Sequence, residues 1–307
     1  MSGQGHDTSG DQPGHFGPST EAAVRAFQES RGLRADGICG TQTWAALVEA
    51  GYHLGDRLVY LRHPMLRGDD VATLQRLLGA LGFDAGRVDG IFGPNTKSAL
   101  DEFQRNTGLT VDGVCGPATR QTLERLSARR GDREPVAVVR EVENLRRAPR
   151  TLAGKRVVIG DGGGLNAAAA ATARVLTEAG AVAMVVQHPD QSTQAAEANA
   201  AAADVYVGLL LDAEGDGCRS AHYAGHRYES PGGRRLAEML QAAVPPALGL
   251  RDAGVRGMAV PVLKETQMPA VLCELGPARE VVRHTADLAA VLGRVLSKWA
   301  ASPCEEP

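Results

Sequence analysis

Between residues 69 and 81 the chain reads DDVATLQRLLGAL, and its apolar positions Val71, Leu74, Leu77, Leu78 and Leu81 recur at steps of three and four. That period places them on one face of an amphipathic helix. A second pattern runs through residues 16–43, FGPSTEAAVRAFQESRGLRADGICGTQT. Gly17-Pro18 followed by Ser19 and Thr20 opens a helix, with hydroxyls placed to cap it. Ala23, Val24 and Phe27 give that helix an apolar stripe, Gly32 ends it, and Asp36-Gly37 makes a tight turn before a short helix from Thr41. Beyond residue 150 the pattern changes to short, continuous apolar runs: KRVVIG (155–160), AVAMVVQ (181–187), DVYVGLLL (204–211) and MPAVLCELG (268–276). These are expected to be buried strands. The stretches 167–179, 197–203, 234–244 and 287–299 have helical character. Strands alternating with helices predict a three-layer α/β domain.

The second pattern occurs twice. Residues 92–119 read FGPNTKSALDEFQRNTGLTVDGVCGPAT, a gapless match at an offset of 76. Phe16/Phe92, Gln28/Gln104, Asp36/Asp112, Cys39/Cys115 and Thr43/Thr119 are among the matched pairs. The second copy has the 69–81 helix ahead of it and forms a complete three-helix unit over 60–126. The first, 15–52, lacks that helix and follows a polar lead, 1–14, with no expected structure. The charge-dense, Pro-bounded segment 127–150 reads as a linker with room for one short helix. The α/β domain fills 151–300, and 301–307 is a tail. The expected fold class is therefore α plus α/β, two small helical units (the first incomplete) followed by the α/β domain.

The 307 residues include 33 basic and 36 acidic side chains, a net charge of −3, so a nucleic-acid footprint is not expected. No apolar run reaches the roughly 18 residues that a membrane span requires. The N-terminus lacks the basic-then-apolar order of a signal peptide, which implies a cytoplasmic location. Five widely spaced cysteines give neither a disulfide framework nor a zinc ribbon. Cys39 and Cys115, in equivalent turns, occupy positions suited to small buried residues, and redox sensitivity is the other reading. Gly160-Asp161-Gly162-Gly163-Gly164 lies between a strand and a helix, as a phosphate loop would, but misses the third glycine of GxGxxG. His222 and His226 are four residues apart and could share a metal; the plainer reading is a polar, partly exposed segment after a loop.

The two helical units resemble peptidoglycan-binding domains of the common three-helix type, most fully over residues 66–119. The segments GKRVVI, EAGAVAMVV, NAAAADVYVGLLLDA and MPAVLCELG, in this order, resemble the zinc-dependent N-acetylmuramoyl-L-alanine amidases over about residues 153–300. That resemblance implies a His-Glu-His zinc set and a glutamate general base near the last strand. Carried over position by position, the base is Glu274. The first histidine position is Gly163, the loop for the glutamate ligand is missing, and Leu210 stands at the second histidine. Zinc lowers the pKa of its bound water from about 15.7 to about 7. Losing about nine units forfeits on the order of 12 kcal/mol, whereas a lone general base contributes about 10²–10⁴-fold. Hydrolysis by the family mechanism is not expected.

The order of units, the DDVATLQ helix, the DGICG-type turn, TLAGKR (151–156) and GLRD (249–252) resemble cytoplasmic amidase homologues of actinobacteria. This implies a non-catalytic regulator of peptidoglycan precursor synthesis with no cofactor. Its implied partners are the UDP-N-acetylglucosamine enolpyruvyl transferase and the precursor flippase, and peptidoglycan fragments or precursors are further ligands. The alternatives are a working zinc amidase, with zinc as cofactor and His222 and His226 as its ligands, or a muropeptide or precursor sensor built on 60–126. In these homologues control is by phosphorylation of a threonine-containing tail. Here no threonine follows Thr285, so Thr285, Ser297 or Ser302 would have to take that role.

Overall fold

The computed structural model describes residues 5–128, 136–212, 215–225 and 228–304, which divide into two compact units. The first holds the helical repeats. Its first copy comprises α1 (Pro18–Ser30) and α2 (Thr41–Ala50). The second comprises α3 (Asp69–Leu81), α4 (Pro94–Thr107) and α5 (Pro117–Ser127). Two short antiparallel strands, β1 (Val59–Tyr60) and β2 (Val114–Cys115), close its side. Val71, Leu74, Leu77 and Leu78 of α3 are buried with Phe92, Leu100, Phe103 and Leu123, so the helical stripe read from sequence faces a core.

A recurrent glutamine clamp organises this unit. Gln28 Nε2 donates to Asp36 Oδ1, the Ile38 carbonyl and Thr43 Oγ1, and its Oε1 accepts from the Gly37 N–H. Gln104 repeats this set with Asp112, Val114, Thr119 and Gly113. Gln75 repeats it again, with Asp89, Ile91, Thr96 and Gly90. Each clamp ties one helix to the Asp-Gly turn that launches the next. The glycines, at φ +76°, +66° and +72°, adopt a backbone that side-chain-bearing residues rarely enter. The two-copy sequence repeat thus contains three helix–turn–helix clamps.

The expected hydroxyl caps do not form. Neither α1 nor α4 has a side-chain cap from its own N-cap residue. Asp11 takes that role for α1, its carboxylate accepting from the N–H groups of Gly17, Ser19 and Thr20. Thr96 is instead committed to the Gln75 clamp.

The second unit is the α/β domain. Its strands are β3 (Arg156–Asp161), β4 (Val182–Gln187), β5 (Val205–Leu211), β6 (Gly217–Tyr223), β7 (Arg251–Met258) and β8 (Ala270–Leu275). They form one mixed sheet in the order β4-β3-β5-β8-β6-β7, with β6 antiparallel to β8 and the other pairs parallel. Helices α7 (Asn166–Glu178), α9 (Pro231–Leu248) and α12 (Thr285–Ala301) pack against one face. Helices α8 (Gln191–Ala200) and α10 (Pro261–Glu265) pack on the other, and α11 (Ala278–Arg283) leads into α12. Cover on both faces explains why the central strands read as continuous apolar runs.

The short helix for which the 127–150 linker had room is α6 (Val136–Arg147), but it is not a free linker segment, because Leu145 of that helix belongs to the α/β core. Glu141 fixes it further, accepting from Ser230 Oγ at 2.6 Å and the Gly232 N–H at 3.1 Å. The segment around His222, taken as a polar stretch after a loop, is strand β6, whose residue His222 is 4% exposed. Its sequence GCRSAHY shows no apolar run; the strand forms through its ladders with β8 and β7 on either side.

Candidate functional site

The amidase-type positions gather where β3, β5 and β8 end. Glu274 on β8 is in register with Leu210 on β5 and with Arg219 on β6. Paired residues on neighbouring strands share a face and lie about 4.8 Å apart across the backbone. Glu274 is therefore flanked on one side by a hydrocarbon and on the other by a guanidinium. Arg219 Nη1 donates to Glu274 Oε2 at 3.1 Å, and the Glu274 side chain is only 9% exposed. One of the two carboxylate oxygens is thus committed to a cation. Arg219 was not apparent from the sequence, because no pattern in GCRSAHY identifies a strand that would bring it opposite Glu274.

The first histidine position departs further from a metal site. Gly163 has φ +124° and Gly164 φ +88°, a backbone that a histidine would enter only with strain. Leu210 Cδ1 packs beside Gly162, 3.3 Å from where a Cβ would stand, closer than ordinary van der Waals contact. Together Gly163, Leu210 and the Arg219-bound Glu274 offer no set of zinc ligands. The residues present do not fit the metal that the family mechanism needs.

The other metal reading fails on geometry. Along the β6–β8 ladder His222 pairs with Val271, while Arg219 pairs with Glu274. Alternation puts His222 on the α9 side of the sheet and Glu274 on the α8 side, three residues further along. They cannot converge on one ion. His222 Nε2 lies 2.6 Å from Glu229 Oε1, and its buried Nδ1 has no hydrogen-bond partner among the described residues. His226 lies outside the described residues. Among the described residues no group of three or more His, Cys, Asp or Glu side chains is arranged to hold a metal.

The glycine loop lines a cavity of about 390 Å³ with Asn166, Gln187 and His188. Two of its backbone donors are already held by a carboxylate. Asp161, 3% exposed, accepts from the N–H groups of Gly163 at 2.9 Å and Leu165 at 3.2 Å through one carboxylate oxygen. A phosphate would have to displace that carboxylate and then sit against its negative charge. The phosphate-loop reading is set aside on this ground.

In the second helical copy, Arg57, Leu58, Cys115 and Arg120 line a cleft of about 280 Å³. Asp70, fully buried, holds Arg57 through two hydrogen bonds of 2.7 and 3.1 Å, and the Arg57 guanidinium lies 3.6 Å from the Tyr52 ring centroid. The two cysteines expected to be equivalent differ: Cys115 is buried and Cys39 is exposed. Val59 pairs with Cys115, whereas no described strand pairs with Ile38-Cys39, and Ile38 is 65% exposed. Burial pushes the Cys115 thiol up to about 12. No helix among the described residues is long and apolar enough to cross a membrane.

Comparison with known proteins agrees with this architecture. Residues 2–47 and 67–123 match the putative peptidoglycan binding domain, and residues 165–285 match the N-acetylmuramoyl-L-alanine amidase family. The chain is 32% identical over 117 residues to N-acetylmuramoyl-L-alanine amidase CwlL of Bacillus licheniformis, 32% of each chain. The N-acetylmuramoyl-L-alanine amidase of Clostridium difficile aligns with 49% of this chain and 99% of its own, at 21% identity and TM-score 0.41. N-acetylmuramoyl-L-alanine amidase CwlM of Mycobacterium tuberculosis is 38% identical over 291 residues, covering 85% of this chain and 71% of that protein. With a duplicated peptidoglycan-binding region ahead of an amidase fold and that relationship along most of its length, the chain belongs to the CwlM group of the N-acetylmuramoyl-L-alanine amidase family.

Proposed function

We propose that this chain is a non-catalytic member of its family, a cytoplasmic regulator of peptidoglycan precursor synthesis that acts by binding cell-wall biosynthesis proteins. The observation that carries the reading is the environment of Glu274. The one retained element of the amidase machinery is bonded to Arg219 and set beside Leu210, with glycine at the remaining histidine position. A general base contributes about 10²–10⁴-fold when it has an activated nucleophile to serve, and these residues provide no means of activating one. The proposed partners are the UDP-N-acetylglucosamine enolpyruvyl transferase and the precursor flippase.

The test combines a zinc titration of the purified full chain, an amidase assay and a binding assay against the enolpyruvyl transferase. The expected result is no stoichiometric zinc, no hydrolysis, and transferase binding that Glu274→Gln leaves unchanged. One tightly bound zinc per chain, with hydrolysis abolished in Glu274→Gln, would overturn the reading in favour of a working amidase.

The Arg57–Arg120 cleft favours a second reading, a sensor of muropeptides or precursors using residues 60–126, with Gly55–Leu58 just ahead of them completing the cleft. Arg57 is held by the buried Asp70, so Arg120, paired with Glu124 only at the surface, is the guanidinium open to a ligand carboxylate beside the apolar Leu58. Muropeptide binding that Arg120→Ala weakens supports it, and no binding counts against it.

A further inference from the structure

The mixed sheet of the α/β domain has two outer edges, and they are built differently. At one end, β7 carries Arg251, Asp252 and Arg256, has Gly254 at φ +81°, and meets β6 with a register shift between Cys218 and Ser220. Charges and an irregular backbone are devices that keep an edge strand from pairing with another chain. At the other end, β4 reads VAMVVQ, with no charge, proline or glycine. It runs in unbroken register beside β3, from Val182 opposite Arg156 to Gln187 opposite Asp161, and no other described strand pairs with it. Val182 is 60% exposed and Met184 37% exposed. We propose that β4 is a self-association edge, on which a second copy of this chain lays its own β4 antiparallel and continues the sheet.

The backbone sets the register of that pairing. The Val182 N–H donates to the Lys155 carbonyl at 2.8 Å and the His188 N–H to the Asp161 carbonyl at 3.2 Å, so the even-numbered residues of β4 face β3. Ala183, Val185 and Gln187 therefore point their N–H and C=O groups out of the sheet's edge. A two-fold axis at Val185 pairs that residue with Val185 of the second copy, and Ala183 with Gln187. Each such pair exchanges two hydrogen bonds, about six in all. Neighbouring registers do worse. An axis at Gln187 sets Val185 against Pro189, which has no N–H. An axis at Ala183 sets Val185 against Ala181, whose N–H is held by the Leu176 carbonyl.

Side chains fit the same register. Met184 meets Val186 and Val182 meets His188 on one face, while Ala183 and Val185 lie on the face that packs against the α/β core. Like charges directly opposite each other penalise self-pairing, and β4 carries none. A foreign strand finds no charge on β4 to select it, whereas a copy of β4 matches every outward group. Such an interface is self-complementary and closes at two chains. The seam is about 20 Å long, short for a specific interface, so the dimer is reversible and fills only at high protein concentration.

The test is sedimentation velocity of the full chain under reducing conditions, from about 1 µM to about 300 µM. A shift from monomer to dimer with concentration is expected, and no larger species. Ala183→Pro removes one outward N–H and spares the β3 ladder, which that N–H does not serve. Met184→Lys sets a charge against the apolar Val186 of the second copy. Each is expected to raise the dimer Kd at least tenfold, while Arg256→Gln on the opposite edge leaves it unchanged. Hydrogen exchange of the unsubstituted protein at both ends of the concentration range gives a readout that needs no variant to fold. Peptides covering 182–187 gain protection as concentration rises, and those covering 251–258 do not. A monomer throughout, concentration-dependent protection confined to other peptides, or a dimer that both β4 variants leave intact would overturn the proposal.

Discussion

Replacing Gln75 by alanine tests whether the clamps hold the helical repeats together. Gln75 is 2% exposed and makes five hydrogen bonds at the α3–α4 junction. Its amide nitrogen serves Asp89 Oδ1 at 2.8 Å, the Ile91 carbonyl at 3.0 Å and Thr96 Oγ1 at 3.1 Å; its oxygen receives the N–H groups of Asp89 at 3.1 Å and Gly90 at 2.9 Å. Truncation to alanine removes all five. Net hydrogen bonds are worth about 1 kcal/mol each, and a buried group left unsatisfied costs about 1–3 kcal/mol. Because water can reach part of the turn, a loss of about 3–5 kcal/mol is expected. Small domains have only about 5–15 kcal/mol in total. Native-state hydrogen exchange followed by mass spectrometry reads this locally, with α/β-domain peptides as the reference. At about 1.4 kcal/mol per tenfold, the slowest amides of α3 and α4 should exchange roughly 10²–10³·⁵ times faster. Exchange within threefold of the parent would refute the clamp argument. Gln75→Glu gives a second check: it keeps the acceptor for both N–H groups but turns an oxygen toward Asp89 and the Ile91 carbonyl. It should rescue little.

Two further outcomes follow from the same kind of reasoning. Asp112 has its carboxyl held below the ordinary carboxylate value by the Val114 N–H and then by the Gln104 amide. A depressed folded-state pKa means that the stabilisation is complete above about pH 4, the unfolded value, and is lost as pH falls through the lower folded value. The urea midpoint of the helical unit should therefore fall between pH 5 and pH 2.5, and Asp112→Asn should flatten that dependence; identical slopes would count against it. In the α/β domain, a Cβ on Gly160 would overlap the Tyr206 hydroxyl, which donates to Gln194 Oε1 in a buried contact between β5 and α8. Gly160→Ala is expected to cost about 1–3 kcal/mol by overpacking, read as a lower thermal midpoint. Combining it with Tyr206→Phe, which withdraws the hydroxyl, should recover part of the loss.

The sequence by itself determined the two-part architecture. Helical periodicity at 69–81, the 76-residue repeat and the four apolar runs each depend on local pattern, and α3, β3, β4, β5 and β8 formed where those patterns lie. The absence of histidines at Gly163 and Leu210 was likewise legible, because a ligand is a residue type at a position. What the tertiary structure alone decided is where polar residues find their partners. β6 and β7 carry Arg219, Ser220, His222, Arg251 and Arg256, and they become strands because β8 supplies an edge for β6, which in turn supports β7. That antiparallel pairing puts Arg219 on Glu274 and turns His222 to the opposite face, and neither outcome follows from spacing along the chain. Cys39 and Cys115 occupy matched sequence positions but separate in exposure because only one has a neighbouring strand. Local pattern fixes which face of an element is apolar. Which charged and polar groups meet across elements depends on register between distant segments, and that exists only once the chain has folded.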